Sequence, residues 1–247
     1  LVASVMPTFS MALIILSTYI KPYSSGLAFG IWLLGLGIHT ILIICFTKKY
    51  IFNFKMENVF PSYFIVYVGV VTGSITAPAF GLPRWGQAIF WFGFIMYLVL
   101  LLPVAYRVVV KGNIGQPAIP SMAIFAAPAS LCLAGYLNSF QDKSMGIIGF
   151  LAALSILMFL AVMIYVPRML RLKFYPSYSA LTFPFVITAI AIKGVNNFFA
   201  NTGISISVLP YLVKFLELWS TVMVLYVLIK YLHFILAEPK STGIAVK

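Results

Sequence analysis

Residues 147–166 decide the fold: Ile147-Ile148-Gly149-Phe150-Leu151-Ala152-Ala153-Leu154-Ser155-Ile156-Leu157-Met158-Phe159-Leu160-Ala161-Val162-Met163-Ile164-Tyr165-Val166. No charged residue interrupts this run. An α-helix of this length rises about 30 Å, the thickness of the hydrocarbon core of a bilayer. A transmembrane barrel would alternate apolar and polar residues in short strands. This run does not alternate, so it reads as a membrane-spanning helix.

The rest of the chain repeats the pattern. Of 247 residues, 63% are hydrophobic and 8% charged, and the mean hydropathy is +1.09. A soluble domain carries about a quarter charged residues, so this composition cannot cover the surface of a soluble globule. Eight spans are predicted, at roughly 3–20, 27–47, 61–79, 86–109, 120–139, 145–166, 177–197 and 207–235. Turn residues separate them, including Lys21-Pro22-Tyr23-Ser24, Gly81-Leu82-Pro83, Lys111-Gly112-Asn113 and Asn201-Thr202-Gly203. The fold expected is an all-α polytopic membrane protein, a single transmembrane domain over 1–247, with eight helices in four hairpins.

The net charge is +12, from sixteen Lys and Arg against Glu57, Asp142, Glu217 and Glu238. In a soluble chain that balance would suggest nucleic acid. Here the orientation rule accounts for it, and no nucleic-acid partner is expected. One set of loops, with the C-terminal tail, collects eleven basic residues from Lys48 to Lys247, including Lys240. The other set holds Lys21, Arg84, Lys143 and Lys193, while Lys214 lies in the last span. This predicts a cytoplasmic C-terminus. The first residues, Leu1-Val2-Ala3-Ser4-Val5, have no charged n-region and do not read as a signal peptide. An abrupt start inside apolar sequence leads us to expect a further segment upstream of Leu1.

An internal repeat emerges once the spans are paired. Spans three, five and seven open with Pro61-Ser62-Tyr63, Pro120-Ser121-Met122 and Pro176-Ser177-Tyr178, and Ser4 stands at the matching place in the first. These serines are separated by 58, 59 and 56 residues, the length of one helical hairpin. Seven residues after each stand Met11, Gly69, Pro128 and Pro184, three of them helix breakers. The odd spans also carry small and hydroxyl residues, such as Thr72-Gly73-Ser74, Ser130, Thr182 and Thr188. They are expected to form an inner ring, with the greasier even spans outside it. Pro128 and Pro184 would sit mid-helix and leave the Ile124 and Ala180 carbonyls without their helical bonds. Such breaks are either ordinary kinks or the lining of a water-filled path.

Two titratable groups invite functional readings. Glu217 would couple protons to transport, or would pair with Lys214 one turn earlier. His39 lies in an outer-class span, and His233 near the end of the last. Neither has ligand-spaced neighbours, so no metal site is expected. Cys45 and Cys132 read as small buried hydrophobes. There is no nucleophile–base set, P-loop or dinucleotide motif, so no enzymatic activity and no cofactor is predicted. A pore or carrier remains, poor in carboxylates and therefore suited to anions; a non-transporting scaffold is the other possibility. Phe183, between Thr182 and Pro184, is by itself an ordinary packing residue.

Several of these words resemble one family. Thr8-Phe9-Ser10-Met11-Ala12-Leu13, Pro61-Ser62-Tyr63-Phe64-Ile65-Val66-Tyr67-Val68-Gly69, Ala126-Ala127-Pro128-Ala129-Ser130-Leu131-Cys132 and Thr182-Phe183-Pro184-Phe185 are similar to the tellurite-resistance/dicarboxylate transporter family. That family includes a bacterial tellurite-resistance protein, yeast malate permeases and plant guard-cell slow anion channels. The resemblance implies ten helices in five hairpins around a central pore, a homotrimer, and Phe183 as the pore gate. It implies Gly69, Pro128, Ser130, Thr182 and Pro184 along the pore, and small anions as substrates: C4-dicarboxylates such as malate, inorganic anions, and a link to tellurite export. The membrane expected, as for that family, is the plasma membrane.

Overall fold

The computed structural model describes residues 2–236. The tail with Glu238, Lys240 and Lys247, and with it the predicted side of the C-terminus, lies outside the described residues. All regular structure in the described part is helical. Four long helices run without a break: α3 (Ser25–Phe46), α6 (Pro83–Tyr106), α8 (Met145–Leu170) and α10 (Leu209–Leu236). Between 22% and 28% of the most apolar window of each is buried, so most of each surface faces outward. Such a helix satisfies its own backbone and can lie against lipid.

The odd spans are built differently. The first is α1 (Val2–Val5) and α2 (Pro7–Ile20), interrupted at Met6. The third is α4 (Tyr63–Tyr67), a turn at 68–70, α5 (Val71–Thr76) and a 3-10 turn at Ala77–Phe80. The fifth opens as a 3-10 run, Gln116–Ala126, and continues as α7 (Ala127–Ser139). The seventh opens as a 3-10 turn, Pro176–Leu181, and continues as α9 (Phe183–Asn201). The fifth and seventh spans are 83% and 56% buried over their most apolar windows. The third, fifth and seventh segments are therefore enclosed, as their small and hydroxyl residues predicted, whereas the first is 33% buried over its most apolar window, close to the outer helices.

Two expectations are corrected. Seven helical stretches among the described residues are long and apolar enough to cross a membrane, where eight were predicted. The difference is the span at 61–79. Near Gly69 its hydrogen-bond register changes: the Val68 and Gly69 amides both bond the Phe64 carbonyl, at 2.8 and 3.2 Å. The amides of Val71, Thr72 and Gly73 reach back only three residues. Buried on nearly every side, this segment does not need an unbroken ladder.

Pro128 and Pro184, in turn, do not kink continuous helices. Each lies in the first turn of its helix, α7 or α9, where a missing amide costs nothing and the fixed φ suits a helix start. The Ile124 carbonyl is not left free, because the Ala127 amide donates to it.

The repeated serines join neighbouring inner segments near their first turns. Ser4 Oγ lies 2.6 Å from Ser62 Oγ, and Ser177 Oγ donates to the Pro117 carbonyl at 2.6 Å. Deeper in the bundle, Ser130 Oγ lies 2.5 Å from Ser155 Oγ on α8 and 2.9 Å from Thr188 Oγ1 on α9. Gly135 lets α7 approach the third span: a Cβ there would stand 2.7 Å from Val71 Cγ1.

Candidate functional site

A cavity of about 670 Å³ opens among the inner segments. Every residue on its wall comes from the first, third, fifth or seventh span, and none from an outer helix. Met11, Gly69, Pro128 and Pro184, the four positions seven residues past the repeated serines, all lie on it. The breaks therefore face one shared space. Helix α2, residues 64–69, residues 121–131 and the 3-10 turn at 176–181 each contribute to the wall.

The wall is apolar and carries no charged side chain. Its side-chain polar groups are hydroxyls: Thr8, Ser121, Ser177, Ser179 and Thr182. Each donates to a backbone carbonyl. Thr8 bonds Val5 at 2.8 Å, Ser121 bonds Ala118 at 2.6 Å, and Thr182 bonds Ser179 at 2.7 Å. Ser179 bonds Pro176 at 3.1 Å, and Ser177 bonds Pro117. In this arrangement the wall presents no fixed anion clamp. It also presents no carboxylate that would repel an anion.

Thr182 and Phe183 stand at the joint between the 3-10 turn and α9, and both line the cavity. Phe183 is half-buried and makes no ring contact with another aromatic residue among the described residues. Phe185, two residues on, differs in every respect. It is fully buried, 5.8 Å from the Phe159 ring and 6.0 Å from the Trp219 ring.

Other predicted site residues lie elsewhere. Ser130 is off the cavity wall: its hydroxyl faces the α7–α8–α9 junction described above, and it also donates to the Ala126 carbonyl at 2.9 Å. Glu217 is not on the wall either. Its partner is Lys193 of α9, at 2.8 Å, and not Lys214, because helix packing brings α9 alongside that face of α10. Both side chains of the pair are substantially exposed. Lys193 is thus a helical residue rather than a loop one. Cys132 is buried as expected, whereas Cys45 is exposed on the outer face.

Sequence reasoning undervalued His39. It is fully buried although it sits on an outer helix. Nε2 donates to the Val66 carbonyl at 3.1 Å, and Nδ1 lies 2.9 Å from Ser10 Oγ. The available signal was an ionisable residue in an otherwise uncharged span, on the same face as Gly35 and Trp32, one and two turns earlier, which are also buried.

Comparison with known proteins agrees with this geometry. No match was found among curated proteins. Residues 2–232 match the model of the SLAC1 family, described as voltage-dependent anion channels. That match spans the inner segments, the outer helices and the whole cavity wall, and it is the transport family that the motifs resembled. The chain belongs to the SLAC1 family of voltage-dependent anion channels.

Proposed function

We propose that this chain carries small anions across the plasma membrane through the cavity between its inner segments, with Phe183 as the gate. The observation that carries the reading is the convergence of Met11, Gly69, Pro128 and Pro184 on one uncharged wall. Inorganic anions and C4-dicarboxylates such as malate are the substrate classes, with tellurite-related anions a further member. The physiological form is a homotrimer with one pathway per subunit and a cytoplasmic C-terminus. The basic excess collects at the cytoplasmic mouth and raises the local anion concentration there.

Phe183 suits a gate because its ring lines the cavity without an aromatic partner to hold it. An aromatic ring across an apolar passage excludes water and ions. Glu217 has no part in the path, being exposed, paired with Lys193 and off the wall.

The test compares two phenylalanines in protein reconstituted into liposomes. Phe183→Ala is expected to raise chloride and nitrate flux several-fold with near-normal thermal stability. Phe185→Ala is expected to cost about 3–5 kcal/mol, because it empties a packed site, and to lower flux. If Phe183→Ala instead loses stability and flux as Phe185→Ala does, Phe183 is a packing residue and the gate is elsewhere.

A further inference from the structure

The cavity wall has no cation to balance a passing anion, yet a protonatable ring stands directly behind it. Gly69 is on the wall, and a Cβ built there would lie 3.1 Å from His39 Cε1. The Gly69 backbone and the Met11 side chain, both on the wall, are the cavity-lining groups beside the imidazole. The ring is fully buried and bridges the first and third spans, through Ser10 on α2 and Val66 on α4.

The hydrogen bonds around His39 can be counted. The Val66 carbonyl can only accept, so Nε2 carries a hydrogen. Ser10 Oγ has one proton and two claims on it: the Pro7 carbonyl at 2.8 Å and His39 Nδ1 at 2.9 Å. With a neutral ring, that proton satisfies one claim and leaves the other open. With a doubly protonated ring, Nδ1–H donates to Ser10, Ser10 donates to Pro7, and Nε2–H donates to Val66. Every group is then satisfied.

Against this stands the cost of a buried charge without a counterion. The elements supplying the partners, α2, α3 and residues 63–76, contain no Asp, Glu, Lys or Arg. Their titratable groups are Tyr19, Cys45, Tyr63 and Tyr67. Lys48 and Lys49 follow only after α3 has ended, about 13 Å farther along the chain axis. The missing counterion is what an anion in the cavity would supply.

We propose that His39 is a proton site linked to the cavity: it takes up a proton when an anion sits beside Gly69 and releases it when the anion leaves. This rests on the reading of the cavity as the anion path. Linkage fixes the sign. If the bound anion favours the protonated ring, protonation tightens anion binding by the same factor.

The experiment measures chloride flux in liposomes against chloride concentration, with the same pH on both sides, from about pH 5 to about pH 8, the range over which a histidine changes charge. For the wild-type protein, the half-saturating chloride concentration should fall roughly tenfold as pH is lowered. His39→Gln should give one pH-independent value, that of the wild type at high pH. In weakly buffered detergent solution, chloride should draw protons onto the wild type, which an indicator dye reads as a rise in bulk pH.

Should His39→Gln fail to fold, Ser10→Ala serves instead. It removes the acceptor of Nδ1–H and should move the midpoint to lower pH by about one unit, the scale of a hydrogen bond to a charged group. Chloride flux with no pH dependence of affinity and no proton uptake would overturn the proton site and leave the pathway standing. So would a titration that persists in His39→Gln, or an unmoved midpoint in Ser10→Ala. Absence of chloride flux from the wild type would overturn the pathway itself.

Discussion

Outer helices and inner segments draw on the same apolar residues, yet they solve opposite problems. Helix α8 runs for 26 residues with its glycines loosely surrounded, and Gly149 has no foreign atom within 4 Å of a would-be Cβ. On the third span, a Cβ at Gly69 would overlap the Ile65 carbonyl oxygen and stand 2.7 Å from Met11 Sδ. A helix that faces lipid must keep its hydrogen bonds to itself. A segment enclosed by protein is free to change register, and at Gly69 it does so on the wall of the cavity. Glycine thus has different meanings by what its helix face meets: Gly149 faces open space, whereas Gly69, like Gly35, Gly86 and Gly93 where outer helices press on inner segments, sits where a Cβ has no room.

Exchanging side chains at the two glycines tests that contrast most severely. Gly69→Val is expected to abolish both monodisperse folding in detergent and flux, since backbone and Met11 would have to move. Gly149→Ala is expected to leave flux intact and to raise stability by up to about 1 kcal/mol, the helix-propensity gain. Equal tolerance at both sites would erase the distinction.

A smaller effect is expected at the junction of the rings. Ser130→Ala removes the shared partner of Ser155 and Thr188 and should cost about 1–3 kcal/mol, measured by thermal melting. Because the hydroxyl faces away from the cavity, anion selectivity should not change. A shift in selectivity without loss of stability would place Ser130 on the path after all.

Much of this was legible in the sequence. Long uncharged runs gave the helical membrane fold, and the serine period predicted which spans face inward. It also marked the four wall positions, because a break recurring at one repeat position signals a shared environment. What hydropathy could not convey is hydrogen-bond register. It sees 61–79 as one apolar span, although the chain there passes through two short helices and two turns. Likewise, proline signals a break but not whether it kinks a helix or starts one. Partners across helices were also hidden: Glu217 and Lys193 meet only through the packing of α10 on α9. His39 was obscured by its place on an outer helix, since burial of a single residue depends on the neighbour it meets.

The smallest effect is expected at that ion pair. Glu217→Gln breaks an exposed contact worth at most about 1 kcal/mol. Flux and its pH dependence in liposomes should match the wild type. A pH-gradient-driven flux lost in this variant would move the proton chemistry from the inner ring to the outer one.

The central claim is that anions pass between the inner segments and not along any outer helix. Cysteine labelling tests it most directly. In a background with Cys45 and Cys132 replaced, single cysteines are placed at Ala180 on the cavity wall and at Leu157 on the exposed face of α8. Flux is recorded before and after a negatively charged thiol reagent. The account predicts strong block at Ala180, slowed when chloride is raised, and none at Leu157. Block at Leu157 with none at Ala180 would contradict it.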